Sequence, residues 1–463
     1  MSIWSAARAA SQLYSYEQVY GARDLTSSEM RQAIKDWYGL YYNTAPAQGE
    51  DPCQRIPTAI VSKLYKAIFS EYTAQPVQDR AGFLSGVLAG LDRVRKKAVQ
   101  QMLIGGCCLL KPDPEGFDCF HVIDRQSYLV FGRDAHGHLT DVGISEVTRQ
   151  GRLVYTLLER RTVDAGGYLT ITSRLFRSES EGVLGTEVPL ASLEMYEELP
   201  AEIRYSDPVY SVGLIPVLCP AENCVDGSED GVSVYAPAVG LIHNINRNEA
   251  QINIEFENGE SRLIVPDTML RRRPDGSKGL DARVFTAAPP GLDGETQITA
   301  FSPALREQSF LARKTEYLRN VESVIGMKRG VLSEVESAER TATEVTSSAG
   351  EYNLTIMDFQ ESWERAVREA VRVCDTLGRL YGKTGGPVID PDQDVAINWG
   401  NGILYDEDKA WSTLMSMVAA KLLKPEIALA WKYKQPWETP EDLAKIRETY
   451  MPEGSALQAG DED

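Results

Sequence analysis

The chain has 463 residues, 25% of them charged and 43% hydrophobic, with a formal net charge of -19. That length holds roughly two to four compact domains, and the ordinary composition argues against wholesale disorder. The acidity excludes a protein that grips duplex DNA over its whole surface, because Lys and Arg contacts to phosphate supply most non-specific affinity.

In chain order, Thr26-Ser-Ser-Glu29 has the spacing of a capping box, and Met30, Ile34, Trp37, Tyr38 and Tyr41 follow on one helical face. A second helix is predicted around Ile60, Val61, Leu64, Tyr65 and Ile68. A third is predicted from about Arg80 to Ile104, ended by Gly105-Gly106. From Cys107 to about Leu193 the periodicity shortens. Tyr128–Phe131, Leu153–Leu157, Tyr168–Thr172 and Arg174–Arg177 are expected strands of an antiparallel sheet, with Asp134–Gly137 and Asp164–Gly167 as hairpin loops. Glu197–Gly231, rich in Pro, Asp and Gly, is expected to be an irregular connector.

Ala236 to about Glu257 returns to helix, with Pro237 in its first turn. Asn258–Ser302 is a turn-rich insert with strand candidates at Arg262–Val265 and Arg283–Phe285, separated by Arg271–Gly279. A helix from Pro303 to Gly326 follows, its apolar face built on Leu311, Leu318, Val321 and Ile325. Beyond a polar elbow, Thr341 and Glu344 have capping-box spacing at the start of a long helix through Val345, Tyr352, Ile356, Phe359, Trp363, Val367, Ala370 and Val373. Asp394–Trp399 is an expected strand. Helices are expected at Asp406–Leu423, Pro425–Tyr433 and Pro440–Tyr450, and 453–463 is expected to be a disordered acidic tail. The fold class is therefore α+β and mainly helical.

Seven scattered cysteines do not suggest a disulfide framework and fit synthesis in a reducing cytoplasm. Neither a secretory leader nor an apolar run near membrane-spanning length is apparent, so neither secretion nor membrane insertion is expected. His136-Gly-His138, with His121 and Cys119 nearby in sequence, offers imidazole and thiolate to a metal, but no spaced set completes four ligands and a polar turn accounts for the pair. Cys219–Cys224 lacks a second pair. With no phosphate-cradling loop and no nucleophile elbow, no cofactor and no catalytic residues are expected. Asp390, Asp392 and Asp394 are expected in a solvated loop.

Two runs resemble a known family. Thr341-Ala-Thr-Glu-Val345, a few residues beyond a helix ending Val324-Ile325-Gly326, is similar to the portal proteins of tailed bacteriophages that infect Gram-positive hosts. Gly231-Val-Ser-Val-Tyr235 followed by Glu255–Val265 is similar to that family's first stem helix entering its clip. The runs lie in the family's order, and the looser resemblance extends from about residue 30 to about residue 450. Ile245-Asn246-Arg247 departs from the pattern, which has an acidic residue after the isoleucine.

The resemblance implies a portal fold with a wing (1–235), a first stem helix (236–257), a clip (258–302), a second stem helix (303–326), a tunnel loop (327–340), a long wing helix (341–385) and a helical crown region (386–452). It further implies a dodecameric ring at one capsid vertex of the virion. Double-stranded DNA would pass through it non-specifically, and the terminase large subunit, a head-completion or adaptor protein, and the major capsid and scaffolding proteins would be its partners. By the same resemblance Lys328, Arg329, Glu334 and Glu336 belong to the DNA-facing loop, Arg306, Arg313, Lys314 and Arg319 to the stem, and Arg271, Arg272, Arg273 and Lys278 to the clip.

For the basic residues two accounts stand. They are salt-bridged to neighbours such as Glu307, Glu316 and Glu322, or some make transient phosphate contacts, the elbow first among them. The acidity likewise has two accounts, solubility or a channel wall that keeps DNA from sticking. A head–tail connector ring and an acidic metal-dependent hydrolase are the other function classes. Removal of Val331–Ser337 is expected to spare ring assembly and impair packaging or DNA retention.

Overall fold

β-Branched and other apolar residues are frequent in Leu139–Gln150 (β5), Leu153–Val163 (β6) and Leu169–Ser178 (β7), and short linkers carrying Gly151 and Gly167 at positive φ let them fold back as an antiparallel meander. The computed structural model describes residues 16–44, 54–77, 82–258, 306–333, 342–400, 407–420, 422–433 and 440–451, with strand pieces at 262–264, 271–272, 278–279 and 299–301. The meander extends to a six-stranded sheet by pairing with Tyr128–Arg133 (β4), Thr186–Val188 (β8) and Glu202–Arg204 (β9). Its middle strand β6 is buried on both faces. Tyr155 and Leu157 pack with Leu175, Leu193 and Tyr196 on one side, and Leu158 packs with Phe176, Tyr16 and Tyr20 on the other.

A smaller sheet, in the order Ile215–Leu218 (β10), Cys107–Pro112 (β2) and Phe120–Ile123 (β3), shares a core with β4 and β5 through Leu109, Ile123, Val130, Val142 and Ile144. The helix α3 (Phe83–Gly105) packs on it, and α1 (Ser28–Tyr42) and α2 (Ile56–Ile68) pack against α3; in sequence the short strand β1 (Thr73–Pro76) lies between α2 and α3. The 39-residue α6 (Ala342–Leu380) packs against α2, α3 and β10, burying Phe359, Trp363, Val367, Ala370 and Cys374 at threes and fours.

The two hairpin loops share one device. Asp134 Oδ1 accepts from the backbone N–H of His136 and His138, and Asp164 Oδ1 does the same for Gly166 and Tyr168.

The contacts in space revise several local expectations. Ser27, not Thr26, caps α1, its hydroxyl accepting from Met30 N–H at 3.1 Å. Thr26 is turned inward, where its hydroxyl accepts from Arg125 at 2.8 Å and donates to Asp24 at 3.0 Å. The two strands expected at Tyr168–Thr172 and Arg174–Arg177 are one strand, because Ser173 is buried and continues the ladder opposite Glu159. The expected connector Glu197–Gly231 contains β9 and β10. Pro216 is tolerated in β10 because that strand lies at the sheet edge. In the insert, β11 (Arg262–Ile264) pairs with β14 (Thr299–Phe301), and the run expected only to separate strands forms β12 (Arg271–Arg272) and β13 (Lys278–Gly279). The strand expected at Arg283–Phe285, the helix start at Pro303 and the tail 453–463 lie outside the described residues.

Beneath the sheet, Glu159 is 4% exposed and meets Arg161 at 2.6 Å and Lys111 at 2.8 Å. Burial pushes its carboxyl up, but the two cations outweigh burial and bring the pKa down to about 2 from the usual 4.5. A carboxylate lowered on folding adds stability above its unfolded value and loses it as pH falls through the folded one. Between pH 4.5 and about 2 the protein is therefore expected to lose ~3 kcal/mol at this residue. Glu159→Gln should flatten the acid limb of a plot of urea midpoint against pH. Parallel curves for the two proteins would contradict the assignment.

The chain divides into two compact units. One comprises Met1–Ile68 and Ala74–Ile397, the other Phe69–Thr73 and Asn398–Asp463. In the smaller unit α7 (Glu407–Ala419), α8 (Pro425–Tyr433) and α9 (Pro440–Tyr450) pack in succession. Tyr433 stacks on Tyr450 with ring centroids 4.3 Å apart, and Arg447 reaches buried Glu426 at 2.6 Å. Among the described residues no helix is long and apolar enough to cross a membrane.

Candidate functional site

Two helices, α4 (Val239–Asn258) and α5 (Glu307–Val324), flank the insert and run antiparallel, as their cross-pairs show. Arg306 reaches Glu255 at 2.7 Å, Lys314 reaches Glu249 at 2.7 Å, and Asn248 Nδ2 donates to the Phe310 carbonyl at 3.1 Å. Arg306's hydrogen bonds hold the Glu255 carboxyl below its usual range. A 3-10 turn, Ala236–Ala238, carries Pro237 into α4. Asn246 is buried and accepts from Gln54 N–H at 2.9 Å, which gives a reason for an amide at this position of α4. Lys314 also donates to Gln54 Oε1 at 3.1 Å, so Gln54, just ahead of α2, is bonded to both helices.

At the end of α5 the chain turns into the elbow. Gly326 has φ +69° and lies so close to Thr355 of α6 that a Cβ there would sit 2.6 Å from the threonine hydroxyl. Glu322 is fully buried, and its carboxylate accepts from the backbone N–H groups of Gly330 (3.2 Å), Leu332 and Ser333 (2.9 Å) and from the Ser333 hydroxyl at 2.8 Å. Successive N–H groups converging on one point make an anion cradle, and here the protein's own carboxylate fills it. From the other side Lys63 of α2 donates to the Val331 carbonyl. Residues 330–333 are thus pinned by two side chains, one of them ten residues upstream and the other on a different helix.

The structure distributes the residues singled out in the sequence as follows. In the elbow, Lys328 is half-buried and Arg329 exposed, between the end of α5 and the pinned segment. Glu334, Glu336 and Thr341 lie outside the described residues. Glu344 falls in the first turn of α6. Of the residues that the resemblance assigned to a stem, Arg306 and Lys314 are engaged with glutamates of α4, Arg313 lies over the Tyr317 ring at 4.3 Å, and Arg319 is half-buried on α5. In the insert, Arg271 and Arg272 pair with Gly279 and Lys278 across the β12–β13 hairpin, while Arg273 is outside the described residues.

The glutamates that meet Lys314 and Arg306 are Glu249 and Glu255. Their part was missed in the sequence because partners 51 and 65 residues apart leave no local spacing signal. Glu322 was missed for a different reason, since its role depends on where the backbone turns after the helix.

His138 Nδ1 lies 3.0 Å from Asp134 Oδ2 within its turn, and His121 is exposed on β3. Among the described residues no three His, Cys, Asp or Glu side chains gather as a metal site. Cys107, Cys108, Cys219 and Cys374 are buried, and Cys119 and Cys224 exposed.

No protein-family model matches this chain, and no curated protein matches it. Among solved structures, a chain of the virion of a native gene transfer agent (GTA) particle is similar at 11% identity with a TM-score of 0.44, over 87% of this chain and 93% of that one. A chain of the neck of a native GTA particle computed with C12 symmetry is similar at 12% identity and a TM-score of 0.45, over 89% and 96%. Scores of this size do not by themselves establish a common fold.

Proposed function

We propose that this chain is the subunit of a phage portal: a ring, by resemblance a dodecamer, at one capsid vertex, through which DNA is packaged and later leaves. The observation that carries this is the state of α5. In this 18-residue helix only Val321 and Glu322 are buried by the chain's own residues. Leu311 is 46% and Val324 48% exposed on it, and Ile254 and Phe256 of α4 are each 45% exposed. Apolar side chains on a long helix pair that its own chain leaves uncovered ask for a covering partner, and neighbouring copies in a ring would provide one.

Two features agree with this. The stem-like pair enters its insert through β11 and leaves it through β14, so the insert begins and ends at one place, as a protruding clip would. The motif order in the sequence matches the same layout. In this role the protein performs no covalent chemistry and is no enzyme. Terminase large subunit and head-completion proteins would dock on the insert, the capsid and scaffolding proteins would surround the ring, and the elbow would face the channel. Localisation to the virion follows from the role.

Negative-stain images of the purified protein are expected to show rings with a central hole wide enough for duplex DNA. Single subunits alone, across the salt and concentration conditions used for assembly, would overturn the proposal. The elbow has its own test. Because residues 330–333 are anchored by Glu322 and Lys63, deleting Val331–Ser337 removes anchored residues together with the loop beyond them. Rings are still expected to form, with packaging or retention of DNA reduced. Full heads of normal stability would remove the elbow from the mechanism.

A further inference from the structure

The groove between α4 and α5, about 510 Å³, is lined by three arginines, Arg247, Arg306 and Arg313, with amide, hydroxyl and aromatic side chains and no carboxylate. In a chain of net charge -19 such a wall is exceptional. Arg306 is engaged with Glu255, but Arg247 is exposed, Arg313 makes only its contact over Tyr317, and neither has an ion-pair partner among the described residues. Asn244 and Gln251 add amide donors to the same wall.

We infer that this groove takes the phosphodiester backbone of double-stranded DNA, with Arg247 and Arg313 as the phosphate contacts; the inference rests on the portal role above and moves the main contact from the elbow to the stem. At Arg247 and Arg313 the wall offers charged and amide donors and no competing anion, which suits a ligand that is anionic at every pH and rich in acceptors. The elbow is less suited, because its backbone cradle is already filled by Glu322. A neighbouring copy's carboxylates are the competing occupant. The apolar Leu311, which a neighbour would cover, lies roughly 140° around α5 from Arg306, on a different face from the groove.

The test uses purified full-length protein, a short fluorescein-labelled duplex read by anisotropy over a salt series, and mass photometry for assembly. Arg247→Gln/Arg313→Gln should assemble as the unaltered protein does, bind about tenfold more weakly, and show a salt dependence shallower by about one to two phosphates. Arg247→Lys/Arg313→Lys, which keeps the charge, should retain most of the binding. Lys66→Gln/Lys96→Gln, which removes the same charge from exposed positions on α2 and α3, should not change it. Unchanged affinity in the glutamine pair, an equal loss in the Lys66/Lys96 control, or no binding by the unaltered protein at low salt would overturn the inference. So would loss of assembly in the glutamine pair alone, which would assign the groove to a neighbouring copy. Arginine-dependent binding by a protein that never forms rings would instead sink the ring and leave the groove's chemistry standing.

Discussion

Replacing Glu322 with alanine is expected to release residues 330–333 while leaving α5 folded. The substitution removes the acceptor for three backbone N–H groups and a hydroxyl inside the protein. Hydrogen bonds to a charged acceptor contribute more than neutral ones, and orphaned buried donors are costly, so the local loss is about 3 kcal/mol. Amide exchange at Gly330, Leu332 and Ser333 should then speed up about 100-fold, and a protease should cut there first. Glu322→Gln keeps one acceptor oxygen and should fall between. Because Lys328 and Arg329 sit between the helix end and the pinned segment, the same change would let their positions spread. Unchanged exchange in the alanine variant would mean that Lys63 and the chain itself hold the elbow.

Gly106→Ala is expected to destabilise the larger unit strongly. Gly106 ends α3 with φ +80°, its N–H donating to Met102 O at 2.8 Å. A Cβ there would lie 2.2 Å from the Gly231 carbonyl oxygen and 2.4 Å from the Val232 nitrogen. Both obstacles are backbone, and the Gly106 carbonyl is itself held by Cys219 N–H at 2.8 Å, so neither strand can yield without breaking the junction of α3, β2 and β10. Strain at positive φ adds to the overlap, for a total of about 3 kcal/mol or more. The urea midpoint should fall sharply, and little soluble protein is expected. Gly240→Ala, at an exposed helical position with nothing within 4 Å, should be neutral or stabilising by up to about 1 kcal/mol. Equal midpoints for the two variants would refute the account.

Much of the architecture was legible in the sequence because periodicity is a local property. The apolar spacing of Phe359, Trp363, Val367 and Ala370 identifies α6 with no knowledge of what it packs against, and Asp134 and Asp164 announce their hairpin loops through residue chemistry alone. Where local chemistry was ambiguous, the tertiary contacts decided. Thr26 has the capping-box spacing, but Arg125 draws it inward and Ser27 caps the helix instead. Pro216 argues against a strand until β10 proves to be an edge.

Around the insert, the sequence by itself identified two amphipathic helices, and a set of arginines and lysines on an acidic background. Which of those cations are free was decided only in three dimensions. Arg306 and Lys314 are neutralised by glutamates brought alongside by antiparallel packing, whereas Arg247 and Arg313 are left facing a groove without carboxylates. A charge's partners depend on the register between two helices, and register is fixed by packing across the interface, which no spacing within either helix encodes.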